Sequence, residues 1–232
     1  MAVARKEARP YRQKARAERQ AQTRRRIVES AVALHLERGP AQTSINAIAE
    51  RAGVNRVTVY RHFPDARALL EACSVHARRL NPPPDLEPWR RIDDPRLRTE
   101  VALRQLYDYF RRTEAGWSNL LRDAELEPLV KEMVDKRRLV YLREARDVLL
   151  DAWPARRARR PLLRAVLGLA VDFRTWQTMC RREELDDRTA VALMVRLAGA
   201  VAGERPATAR TSDEERGLGE AATDEFPARV RS

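Results

Sequence analysis

The sequence predicts an all-α chain of two domains: an N-terminal helix-turn-helix domain and a C-terminal helical bundle. Three observations carry this. Residues 44–63 place two short amphipathic helices on either side of a glycine corner. Beyond residue 95 the apolar side chains recur at helical spacing, and no alternating strand pattern interrupts them. Between these regions lies Asn81-Pro82-Pro83-Pro84-Asp85, a run that no helix crosses.

The chain opens with a basic arm, residues 1–23, expected to be partly disordered. Residues 1–26 hold 10 basic and 2 acidic side chains, a net +8 within a total of +12. Such an arm beside a DNA-reading module neutralises phosphates or enters the minor groove. The alternatives are a solvated tail or an upstream extension of the first helix, since residues 14–26 are mostly helix formers. That helix is expected to start after Pro10, in the mid-teens or low twenties, and to end at Arg38. Ile27, Ala31 and Leu34 form its core stripe, and Gly39-Pro40 stop it.

Ser44 is then a good N-cap for a helix whose buried face is Ile45, Ile48, Ala49 and Ala52. Gly53 supplies the left-handed backbone that ends it, and Val54 plugs the corner. Asn55 caps the second helix, with Val59 and Phe63 inward and Arg56, Thr58, Arg61 and His62 outward. A helix of that width fits the major groove. Pro64-Asp65 start a fourth helix through Leu69, Leu70 and Cys73 to about Arg79. The DNA-binding domain is therefore read as 24–80, with a proline-rich linker at 81–94.

In the second domain, 95–203, Leu103, Leu106, Tyr107 and Phe110 share one helix face. A short helix is expected at 117–124 and a long one from Pro128 to about Trp153. The stripe of the latter, Val130, Val134, Arg137, Tyr141, Ala145 and Val148, carries an arginine where an apolar residue is expected. The next helix, about 161–182, is apolar on two sides. Leu162, Val166, Leu169, Phe173, Trp176 and Cys180 make one stripe; Leu163, Leu167 and Ala170 make another. The last, about 186–203, carries Val191, Met194, Val195, Ala198 and Val201. Two apolar faces need two partners, so this helix pair is expected to form a homodimer interface, with Leu167 and Ala198 near the two-fold axis. Residues 204–232 have almost no apolar content and are expected to be disordered.

The run Ile48-Ala49-Glu50-Arg51-Ala52-Gly53-Val54, followed by Thr58-Val59-Tyr60-Arg61-His62-Phe63 and Leu69-Leu70, resembles the DNA-binding domain of the tetracycline-repressor (TetR) family over about residues 24–80. Residues 172–176 (Asp-Phe-Arg-Thr-Trp) are similar to segments of some effector domains of that family. The resemblance implies that Tyr60 and His62 bind phosphates, with Ser44 near the backbone. It also implies that Asn46, Asn55, Arg56, Val57 and Thr58 face base edges. Two positions depart from the pattern. Val57 stands where a Gly, Ala or Pro is common, and Ala66 replaces a frequent phosphate-binding Lys, for which Arg67 is the neighbouring substitute. Arg61 completes the expected DNA-contacting set.

Physically, Arg56 suits guanine, Asn46 or Asn55 suits adenine, and the methyls of Val57 and Thr58 suit that of thymine. The bundle is expected to enclose a largely apolar effector pocket, with Tyr107, Phe110, Trp117, Met133, Arg137, Tyr141, Phe173 and Trp176 as candidate lining residues. Arg137 could pair with Asp123 or Asp172, hold an acidic ligand, or snorkel to the helix edge. No cofactor or metal is expected: the three histidines are dispersed, and Cys73 and Cys180 fit neither a disulfide framework nor a metal site. The expected function is a sequence-specific, ligand-responsive repressor that binds a palindromic operator of double-stranded DNA as a dimer. A ligand-independent architectural DNA-binding protein is the alternative, and a helical enzyme finds no motif. No membrane partner is expected, and the charged N-terminus, without a signal-peptide apolar stretch, predicts a cytoplasmic protein.

Overall fold

Ile27, Val28, Ala31, Val32 and Leu34 line one side of a helix, and all are buried. That helix, α1 (Val3–Arg38), organises the N-terminal domain. It belongs to a computed structural model that describes residues 3–203, with side chains from residue 13 onward. The side chains of Arg5, Lys6, Arg9 and Arg12, and the tail expected to be disordered, lie outside the described residues. The helix begins upstream of Pro10 rather than in the mid-teens, and the Arg, Gln, Glu and Ala residues that follow Pro10 are strong helix formers. Among its described side chains the first buried one is Ile27, and Lys14, Arg16, Arg19, Arg24, Arg25 and Arg26 all sit exposed ahead of it.

Helices α2 (Ile45–Arg51), α3 (Arg56–His62) and α4 (Ala66–Leu80) pack on α1 around Ile48, Ala49, Ala52, Val59, Phe63, Leu69 and Cys73. Each of the three is capped by its own side chain. Ser44 accepts from the Ala47 N–H, Asn55 from the Thr58 N–H, and Asp65 from the Ala68 N–H. Gly53 turns the corner at φ 64°, and the Val54 N–H donates back to the Ala49 carbonyl at 3.0 Å.

The segment expected as a linker folds as well. It carries a short helix, α5 (Glu87–Arg90), and inserts Trp89 fully buried into the C-terminal core. Arg98 secures it by donating to the carbonyls of Ile92, Arg90 and Val148. Aromatic burial outweighs the proline run here.

Helix α6 (Pro95–Asp123) runs unbroken through the segment expected to form a separate short helix. Gly116 lets α1 come close, since a Cβ there would meet the Leu36 side chain at 3.0 Å. Helices α7 (Pro128–Met133) and α8 (Leu139–Ala152) are joined by a π-turn, Val134–Arg138. The expected helix at about 161–182 is divided into α9 (Arg160–Ala170), α10 (Phe173–Gln177) and a second π-turn, Thr178–Arg182. Asp172 makes the division: its carboxylate caps α10 through the Thr175 N–H at 2.9 Å, while Tyr107 donates to the Ala170 carbonyl at 3.0 Å. Helix α11 (Asp187–Ala202) closes the bundle against α6 and α9.

Helix α9 does have two apolar faces. Leu163, Leu167 and Ala170 are buried in the core, while Leu162 and Leu169 are 62% and 54% exposed beside Leu193 and Leu197 of α11, at 45% and 40%. Leu167 and Ala198, expected near a two-fold axis, are instead fully buried in the chain's own core. Both belong to inward stripes, and the unpartnered face is the one opposite. Among the described residues, no helix is long and apolar enough to cross a membrane.

Candidate functional site

Helix α3 presents a face on which Arg56, Val57, Tyr60 and Arg61 are exposed, with Thr58 and His62 partly covered. Val57 is 74% exposed, an apolar side chain without a packing role. Asn55 is committed through its carbonyl oxygen to the Thr58 N–H and hydroxyl, leaving its amide N–H groups to face outward. The Arg56 guanidinium lies over the Tyr60 ring at 5.3 Å and donates to its hydroxyl at 3.2 Å. These two side chains therefore hold each other. Burial, then the charges of Arg61 and Arg24, lower the pKa of His62 and favour its neutral form. Ser44 and Asn46 are exposed at the start of α2. Arg67 faces elsewhere: both of its terminal nitrogens donate to Glu132 of α7 at 2.8 Å. A phosphate contact from Arg67 would have to give up that pair.

The junction between the domains is the second polar feature. At the end of α6, Asn119 donates to the Leu36 carbonyl at 2.8 Å and Arg122 to the Arg38 carbonyl at 2.6 Å. The fully buried Asp123 accepts from the Ala41 N–H at 2.9 Å and from Arg122 at 2.8 Å. Three side chains of one domain thus satisfy the orphan backbone groups at the end of α1. Gly39 makes room for them. It sits at φ 92°, and a Cβ there would run into Asp123 and Arg122.

Two adjoining cavities of about 80 and 220 Å³ open beside this junction. Their walls come from α1 and α4 on one side and from α6 and the first π-turn on the other. Val32, Leu36, Ser74, Ala77, Gly116 and Arg138 line both. Of the expected pocket residues, Met133 lines the smaller cavity, and Trp117, Arg137 and Tyr141 line the larger. Tyr107, Phe110, Phe173 and Trp176 line neither. They form a packed aromatic cluster with centroids 5.4 to 6.3 Å apart along Tyr107–Phe110, Phe110–Phe173 and Phe173–Trp176. Asp123 and Asp172, considered as partners of Arg137, are both committed elsewhere.

Sequence reasoning did not single out Arg138 for this region. A π-turn holds one residue more than an α-turn and shifts the stripe, so the Arg138 guanidinium turns inward, 4.4 Å over the Trp117 ring. Much of the wall, from Val32 to Leu80, lies in the other domain, where no single-helix pattern could link it to this pocket. Cys73 and Cys180 are free and buried, each thiol pushed up to about 12 mainly by burial, which leaves them unreactive.

Residues 27–73 match the family described as bacterial regulatory proteins, tetR family. Residues 27–73 thus form a DNA-binding domain of the TetR family. No curated protein matches it in sequence. Its fold is similar to that of a TetR-like transcriptional regulator from Rhodococcus sp. RHA1, at TM-score 0.57 and 21% identity over 78% of this chain and 97% of that one. A second TetR-family structure from Rhodococcus sp. aligns at 0.52 and 18% identity, over 78% and 99%. The multidrug binding protein EbrR, complexed with imidazole, aligns at 0.50 and 22%, over 81% and 93%. The TetR-like architecture therefore extends across both domains.

His35 ties this site to pH. It lines the smaller cavity, and burial lowers its pKa to about 4, opposed by Asp123. The unfolded imidazole takes up a proton below pH 6.5, whereas the folded one stays neutral down to about pH 4. Between these values the unfolded state binds more protons, so stability falls as pH falls. Denaturant titration should show the protein losing about 2 kcal/mol through His35 on going from neutral pH to pH 5, and His35→Gln should lose correspondingly less. Equal losses in the two proteins would remove His35 as the cause.

Proposed function

We propose that this TetR-family protein is a ligand-responsive repressor that binds a palindromic operator as a homodimer. The observation that carries this reading is the shared wall of the cavities. A small molecule between α1 and α4 on one side and α6 and the π-turn on the other touches both domains at once. Its occupancy biases their relative orientation by its difference in affinity for the two arrangements. In a dimer, that orientation sets the separation of the two α3 helices, which must match half-sites about 34 Å apart, or a multiple of this, to enter the groove together. EbrR, which holds imidazole in a similar fold, supports a small-molecule effector.

The roles on DNA follow from exposure. Arg56, Val57 and Thr58, with Asn46 and Asn55, read base edges. Tyr60, His62 and Ser44 hold the backbone, and Arg61 and the exposed arginines at the start of α1 add positive charge along it. Arg56→Ala should cost about 1–3 kcal/mol at one base position per half-site, whereas His62→Ala should weaken all operator variants alike. Titration against single-base operator variants reads this directly. A uniform loss for Arg56→Ala would remove it as a base reader.

The exposed face of α9 and α11, Leu162, Leu169, Leu193 and Leu197, is the dimer surface in this reading. Leu169→Arg with Leu197→Arg should give a folded monomer by sedimentation and circular dichroism, with operator binding largely lost. Arginines at Leu167 or Ala198 would instead disrupt the chain's own core. A double variant that still sediments as a dimer would refute this interface. A wild-type protein that is monomeric at micromolar concentration would refute the mechanism.

A further inference from the structure

Among the described residues, two buried side-chain polar atoms find no hydrogen-bond partner, Trp117 Nε1 and Arg138 Nη1, and the Arg138 guanidinium lies 4.4 Å over the Trp117 ring. Both are donors and neither can accept. An unpaired buried donor costs stability, and here one of the two belongs to a guanidinium whose charge is offset only by the Trp117 ring face, so a group that accepts from both donors is favoured at this place. Burial disfavours the charged form of Arg138, with Tyr109 opposing and Arg78 reinforcing that effect. The surroundings add to the imbalance. Arg78, Arg112, Arg137 and Arg138 line the larger cavity, which has no carboxylate in its wall. Arg112 pairs with Asp108, and the other three arginines leave the cavity wall net positive.

We propose that the inter-domain cavity binds a small carboxylic acid with an apolar body, its carboxylate accepting hydrogen bonds from Arg138 and Trp117. A neutral acceptor would satisfy the hydrogen bonds but leave the buried charge uncompensated. One carboxylate accepts from both donors, and its single charge balances the single Arg138 guanidinium. The rest of the molecule lies against Val32, Leu36, Leu70, Val130 and Met133 in the smaller cavity, whose wall is mostly apolar. The space admits an aromatic ring or a short alkyl chain. This inference rests on the cavities being the effector site, and it names the chemistry of the effector.

Calorimetric titration of the full chain, without DNA, with benzoate and octanoate against benzamide and octanamide tests it. At least one acid should bind about tenfold or more tightly than its amide. Arg138→Met should abolish that preference, and Trp117→Phe should weaken binding of the acid. Without ligand, Arg138→Met should melt at or above the wild-type temperature, because a buried uncompensated charge has been removed. Acid and amide binding alike, no binding of either acid, or a ligand-free Arg138→Met protein that is unstable or unfolded would each overturn the proposal. The acid that binds is then added to the operator complex. Release supports the switch, while binding without release upholds the carboxylate site and contradicts the ligand-responsive repressor.

Discussion

The fold depends on how the C-terminal end of α1 is capped. The last carbonyls of a helix have no partner of their own, and here those of Leu36 and Arg38 are satisfied by Asn119 and Arg122, with Asp123 reaching the Ala41 N–H beyond the turn. The capping residues come from the end of α6, in the other domain. An ordinary local requirement of helix ends therefore becomes a joint. The Arg67–Glu132 pair adds a second tie, from the start of α4 to α7. Because α4 follows directly on the DNA-facing helix α3, these two links tie the recognition surface to α6 and α7.

The same joint explains the position of the cavities. Polar groups hold α1 and α6 together near residues 36–41 and 119–123. Just beside them, the small residues Gly116, Ala77 and Ser74 leave the surfaces incompletely filled. Cavities between tightly packed elements are costly. Here they adjoin two unpaired donors, so the region is both underpacked and electrostatically incomplete. The aromatic cluster of Phe110, Trp117, Phe173 and Trp176 stands behind it as a rigid wall.

The DNA-binding half was legible in the sequence almost residue by residue. Ser44, Gly53, Asn55, Val59 and Phe63 perform the local tasks that caps, corners and short stripes assign, and those signals span only a few positions. The all-α class and most helix faces of the second half were legible for the same reason. The failures have physical sources. The break at Asp172 is an N-cap inside an apolar periodicity. Gly116 inside α6 marks a close approach of α1 that only tertiary structure reveals. The placement of Arg138 depends on a π-turn, whose extra residue has no periodic signature. The aromatic residues Tyr107, Phe110, Phe173 and Trp176 were candidates for a pocket by type and proved to be packing. The cavity itself is built from both domains and could not be read from either.

The central claim is that the DNA-reading helices and the inter-domain joint form one mechanical unit. Hydrogen exchange on the full-length protein, with and without operator DNA selected from random duplexes, tests it most directly. Operator binding should change protection at the contacting residues 44–63 and also at residues 116–124 and 130–138, which touch no DNA in this reading. Changes confined to residues 44–63, with the joint and the π-turn unaffected, would contradict the account.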